Sequence, residues 1–251
     1  MKTSLRAILV ALLTTTCALA TAPSRASVII AGTRVVFPAN DGEVTVRLTN
    51  QGANPALVET WIDSGDPSST PDKVHTPFLI TPPLFRMEPN RDQSLRILFT
   101  HSDTPLRTDR ESVFWLNVLE VPPKPTGAQF QGKNYIQLAI RSRVKLFYRP
   151  GGLPGDSIKA PGELTFKSQS ANGSVSLLVH NPTPYYVTIA RLTISAADKS
   201  REASTGMVAP MSDLRLTVTG ATQAPAAGAT LSYYCINDFG SEVNFKGIVS
   251  P

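Results

Sequence analysis

Apolar and polar residues alternate in short, period-two runs along most of this chain. Glu43 to Asn50 reads EVTVRLTN and places Val44, Val46 and Leu48 on one face, as expected of a half-buried strand. Similar runs occupy Ser27 to Phe37, Ala56 to Ile62, Gln93 to Thr100 and Val113 to Val121, and Thr76 to Pro89 reads as a turn-broken pair. After Gly151 to Gly155 (GGLPG) the pattern resumes at Leu164 to Ser168, Ser174 to Asn181, Tyr185 to Ile194, Leu214 to Val218, Leu231 to Ile236 and Val243 to Val249. No stretch of useful length carries a 3.6-residue period. The expectation is all-β: two sandwiches of turn-linked antiparallel strands, joined at GGLPG.

One run differs in kind. Asn134 to Pro150 reads NYIQLAIRSRVKLFYRP. Ile136, Leu138 and Ile140 share a face that continues through Ser142, Val144 and Leu146, while Lys145 falls on the opposite face. Side chains two apart lie about 6.6 Å from each other along a strand, so these three could fill successive pockets in a partner. In any sandwich the same alternation also fits a core. Pro150 ends the run because it has no N–H to give a ladder.

Composition narrows the class. The 251 residues suffice for two domains, and 41% hydrophobic with 17% charged residues is a globular balance. Twenty-one prolines suit strands and turns rather than helices. The N-terminus has a basic start at Lys2 and Arg6, an apolar stretch from Ile8 to Ala20, then small residues. This reads as a secretory signal over residues 1–26, cleaved after Ala26, with Ala20 as the competing site. Its loss removes Lys2, Arg6 and Arg25 and no acid, taking the formal net charge from +5 to +2. Basicity is therefore no argument for nucleic acid. No other segment approaches the ~20 apolar residues of a membrane span, so no membrane insertion is expected. Cys17 leaves with the signal, and the remaining Cys235 reads as a small buried hydrophobe.

Catalytic patterns are lacking. His75, His101 and His180 are scattered, so no metal or other cofactor is expected. The adjacent His101-Ser102-Asp103 cannot adopt triad geometry. No P-loop, dinucleotide or G-x-S-x-G motif occurs.

Five motifs in order, TRVVFP (33–38), TPPLFRMEP (81–89), DRESVFWLNVLEVPP (109–123), NPTPYYVTI (181–189) and INDFG (236–240), resemble those of periplasmic pilus assembly chaperones. The resemblance covers nearly the whole chain after residue 26. The brief connection from Lys124 to Lys133 resembles the short-loop subfamily.

The resemblance implies two immunoglobulin-like β-sandwich domains, 27–150 and 151–251, in a bent, L-shaped arrangement. It implies a non-enzymatic periplasmic chaperone that caps fimbrial subunits by donor-strand complementation and passes them to an outer-membrane usher. Arg34 and Lys145 would hold the subunit's C-terminal carboxylate, Ile136, Leu138 and Ile140 would form the donor strand, and Glu111, Arg149 and Asp238 an inter-domain ion network. The competing class is a secreted two-domain adhesin or structural surface subunit. Which subunits are served, and whether the unloaded chain self-associates, the sequence leaves open.

Overall fold

The computed structural model describes residues 27–100, 105–127, 130–171, 174–196, 199–221 and 223–250. The expected signal segment, Cys17 and the His101-Ser102-Asp103 triplet lie outside these residues. The fold is all-β, with two sandwich-like domains built on separate hydrophobic cores.

The first domain has nine strands: β1 (Val28–Ile30), β2 (Arg34–Pro38), β3 (Glu43–Asn50), β4 (Ala56–Asp63), β5 (Phe78–Thr81), β6 (Leu84–Met87), β7 (Asp92–Phe99), β8 (Ser112–Val121) and β9 (Ile140–Arg149). One sheet runs β1-β3-β7-β5 and the other β2-β9-β8-β4-β6. Phe37, Leu48, Leu95, Ile97, Leu116 and Leu146 are fully buried between them. Each such side chain contributes about 1.5–3 kcal/mol by leaving water.

The second domain comprises β10 (Thr165–Ala171), β11 (Ser174–Asn181), β12 (Val187–Ala196), β13 (Lys199–Glu202), β14 (Gly206–Val208), β15 (Ser212–Thr217), β16 (Thr230–Ile236) and β17 (Glu242–Ser250). β17 joins its two halves, pairing antiparallel with β16 and, at Val249 and Ser250, parallel with β10. Cys235 sits in this core, where burial pushes its thiol up to about 12. Such a thiol packs rather than reacts.

Four expectations need correction. The Ser27 to Phe37 run is two strands, because the chain changes sheets at Gly32, whose φ of +105° is a left-handed value that glycine tolerates. β1 then pairs antiparallel with β3, and β2 pairs parallel with β9. The Thr76 to Pro89 strands do not pair with each other, since β5 joins β7 and β6 joins β4. β13 and β14 were not anticipated, because KSRE and GMV show neither alternation nor length.

The fourth correction concerns the run from Asn134. Its strand begins only at Ile140, and residues 134–139 lie outside it. Pairing with β8 ends at Glu120 opposite Ile140, and the Pro122-Pro123 that follows has no N–H to extend the ladder.

Candidate partner-binding cleft

β2 accompanies β9 only from Lys145, which Arg34 faces in register, to Arg149, opposite Pro38. Upstream of Arg34 the chain has turned away at Gly32 into the other sheet. Residues 140–144 of β9 are thus bonded to β8 on one side and open on the other. β9 is an edge strand for half its length, and that half leads into Ile136, Leu138 and Ile140, which are 87%, 70% and 45% exposed. Fourteen residues of one sequence run therefore pass from a solvent-facing apolar segment to the floor of a core.

The two cations stand where the open edge begins. Arg34 reaches across to the second domain and donates from Nη1 to the Ile236 carbonyl at 3.0 Å. Its guanidinium also lies 5.7 Å from the Phe147 ring centroid. Its Nε is buried with no hydrogen-bond partner. Burial lowers the pKa of Arg34 despite the opposing pull of Asp238 and Glu111. Burial likewise lowers that of Lys145, and the neighbouring Arg34 charge adds to it. Among the described residues neither cation has an ion-pair partner; the ion pairs of this region belong to Arg141, Arg143 and Arg149. Two half-buried cations with an unused donor have the charge and the N–H groups that an anion such as a carboxylate would accept from by charge-assisted hydrogen bonding.

Thr188 joins this wall from the second domain. It pairs with Ile236 in the β12–β16 ladder, and its hydroxyl is buried without a partner. The sequence carried a signal for it: in YYVTI, buried Tyr185, Val187 and Ile189 alternate with Tyr186 and Thr188, which must face outward.

The predicted ion network comes together at the domain junction. Arg149 donates from Nε to Glu111 Oε1 at 2.6 Å and forks onto Asp238 at 2.8 and 3.0 Å. Glu111 accepts the Tyr186 amide at 2.8 Å through its other oxygen, and Ser157 donates to Asp238 at 2.9 Å. Burial raises the Glu111 pKa against the pull of Arg149. At Asp238 burial acts the same way, but hydrogen bonds from Arg149 prevail and the carboxyl is held below its ordinary range. Phe147 and Tyr186 pack across the junction with ring centroids 5.7 Å apart. Gly240, in a left-handed conformation, lies so near Thr33 that a Cβ would come within 2.5 Å of its hydroxyl. These contacts hold the second domain against the strand ends that carry Arg34 and Lys145.

A further group, which sequence reasoning missed, braces the open half of β9. Arg143 lies 4.5 Å over Trp115 and forks onto Asp63, a fully buried carboxylate two strands away on β4. Arg141 lies 4.7 Å over Trp61 and donates twice to Asn117 Oδ1, at 2.6 and 2.9 Å, and to the Pro67 carbonyl at 2.8 Å. Asn117 in turn donates to Asp63 at 2.8 Å. Burial disfavours the Asp63 charge, but hydrogen bonds from Arg143, Asn117 and the Gly65 amide outweigh it and lower its pKa. The alternation of Arg141, Arg143 and Lys145 was visible in the sequence; their partners, some twenty to eighty positions distant, were not. Of the described histidines, His180 pairs with Asp213 in the second domain and His75 lies in the first.

A family described as "Pili and flagellar-assembly chaperone, PapD N-terminal domain" matches residues 27–154, and "Pili assembly chaperone PapD, C-terminal domain" matches 159–246. The chain is 42% identical over 228 residues to the "Probable fimbrial chaperone YadV" of Escherichia coli K12, covering 91% of this chain and 92% of that one. It is 45% identical over 231 residues to "Chaperone protein FimB/FhaD" of Bordetella pertussis, covering 90% of each. Among solved structures, a Salmonella enterica SafA pilin in complex with the SafB chaperone is similar with a TM-score of 0.73 at 30% identity, covering 91% of this chain and 99% of that chain.

Proposed function

The chain belongs to the pilus assembly chaperone family, which is not an enzyme family, and on that premise we propose that it captures fimbrial subunits in the periplasm by their C-terminal carboxylate. The carboxylate is taken between Arg34 and Lys145. The observation that carries this reading is their placement: two half-buried cations with no ion-pair partner among the described residues, at the point where β2 stops and the free edge of β9 starts.

The strand direction follows from that placement. A partner strand whose last residue lies at Lys145 occupies the lane β2 vacates, and its body must extend back along residues 144 to 140. Both chains then run toward Lys145, so the added strand pairs parallel to β9, as β2 does. Edge addition of this kind draws affinity from main-chain hydrogen bonds and specificity from alternate side chains; pilin strand complementation is among the examples by which that mode is defined. Ile136, Leu138 and Ile140 supply the alternate side chains to a groove in the subunit. The similar SafB chaperone, solved in complex with the SafA pilin, supports this class of partner.

The Glu111–Arg149–Asp238 network serves to fix the angle between domains divided at Pro150, and contributes geometry more than stability. An outer-membrane usher takes over the loaded chaperone, and another subunit's extension replaces the donor strand without nucleotide. A passive surface subunit has no use for an unneutralised cation pair beside an open edge. The test is co-isolation of subunits from periplasm. Lys145→Ala should stay folded and lose bound subunit, whereas normal capture by the folded Arg34→Ala/Lys145→Ala double variant would sink the reading.

A further inference from the structure

Glu120 is 7% exposed, at the end of β8 opposite Ile140. Its two carboxylate oxygens are turned toward the first described residues of the chain. Oε1 accepts the Ser27 hydroxyl and Oε2 accepts the Val28 amide at 3.0 Å. No cationic side chain among the described residues pairs with it. A carboxylate this deep, met only by two neutral donors, lacks the cation that buried charges require. Ser27 is itself held tightly. Its carbonyl accepts the Gln51 amide at 2.6 Å, and a Cβ on Gly52 would come within 2.5 Å of the Ser27 Cβ.

We propose that Glu120 is the receptor for the α-ammonium group of a mature N-terminus at Ser27. A leader peptidase hydrolyses the Ala26–Ser27 amide: water gives its hydroxyl to the Ala26 carbonyl and its hydrogen to the Ser27 nitrogen. The new amine, with an ordinary pKa near 8, takes a second proton at neutral pH. That nitrogen is three bonds from the hydroxyl already seated on Glu120, so processing creates the missing cation at the carboxylate. Cleavage after Ala20 would leave the carboxylate unmatched. Removal of the leader thus completes the end of β1 and, through β8, the strand against which the donor segment starts. The N-terminal site and the carboxylate anchor involve different residues and can fail separately.

The experiment combines N-terminal sequencing of the exported protein with denaturant unfolding of three variants. One is Glu120→Gln. The second inserts a single glycine between Ala26 and Ser27, moving the ammonium one residue outward while leaving the hydroxyl and the Val28 amide in place. The third carries both changes. The sequence should begin at Ser27. The insertion should raise the unfolding equilibrium constant about ten-fold, the scale of one charge-assisted hydrogen bond, Glu120→Gln should raise it at least as much, and the double variant should match Glu120→Gln alone. A first residue at Thr21, wild-type stability in the glycine insertion, or additive losses in the double variant would overturn the assignment. If Glu120→Gln does not fold, the insertion alone decides.

Discussion

Residues 145–149 and 140–144 belong to the same strand, with the same alternation, and meet opposite fates. The first stretch is bonded by β2 throughout and by β8 as far as Tyr148, and packs Leu146 and Phe147 out of water. The second is bonded on one side only and leads into Leu138 and Ile136, which stand in solvent. Nothing in the side chains of β9 makes this difference. It arises where a different strand ends, at Arg34, because Gly32 sends the chain into the other sheet. An edge is a property of neighbours, and here the neighbour stops beside Arg34 and Lys145, the two cations proposed to pin an incoming strand.

Three substitutions on this strand and one in the segment that leads into it break the comparison or sharpen it. The largest loss should come from Leu146→Ala, at the covered end. Removing a fully buried leucine costs about 3 kcal/mol in transfer and cavity energy, read as a fall in the denaturant midpoint. A loss below about 1 kcal/mol would mean the covered half is no better packed than the open one.

Next is Arg149→Ala, which strips Glu111 and Asp238 of the cation hydrogen-bonded to both and leaves them only the unbonded pull of Arg34. Such an unpaired buried carboxylate costs about 3–5 kcal/mol, and the partial exposure of Arg149 brings the expectation nearer about 2 kcal/mol. Each domain should stay folded while their relative orientation loosens, so small-angle scattering should broaden and subunit capture weaken. An unchanged profile with full binding would reduce the three charges to surface decoration.

Lys145→Met should cost almost nothing and differ in its pH dependence. Burial and Arg34 hold the folded-state Lys145 below its ordinary value of about 10.4. The unfolded chain then binds more protons as pH climbs from that lowered value toward about 10.4, so this group makes stability rise with pH across that window. In Lys145→Met that rise should vanish while subunit capture is lost. An identical alkaline profile in the two proteins would contradict the pairing of Arg34 and Lys145 as mutually repelling cations.

The smallest effect on stability is expected at the open end. Leu138→Glu places a charge on a side chain that is already exposed, and the midpoint should move by less than about 0.5 kcal/mol. Subunit capture should nevertheless fail, because the groove would have to bury the carboxylate. Unfolding of this variant would return Leu138 to the core.

Many of the strand positions were legible in the residues, whereas their order in the sheets was not. β3 and β11 have the bounds their alternation predicts, each ending at a buried asparagine that hydrogen-bonds the following loop. The split of Ser27 to Phe37 was not legible, because a β-branched run reads the same whether it stays in one sheet or changes sheets at its glycine. The start of β9 was missed for a similar reason: alternation from Asn134 says which face a side chain takes, not whether a neighbour exists to bond the backbone. Arg34, Lys145 and the Glu111–Arg149–Asp238 set were reached only through the motifs that surround them. The Asp63–Asn117 brace depends on residues brought together across strands, where no local pattern points; the face that Thr188 takes was legible in YYVTI, but not the inter-domain wall it joins.

Backbone amide exchange, comparing the free protein with its complex with a fimbrial subunit, tests the open edge most directly. Amides of residues 136–144 that face away from β8 should exchange fast in the free protein and become strongly protected in the complex. Those of residues 145–149, already bonded to β2 and β8, should change little. Protection confined to other strands, with residues 136–144 still exchanging freely, would mean that the subunit is held elsewhere and that the edge beside Arg34 and Lys145 is not its site.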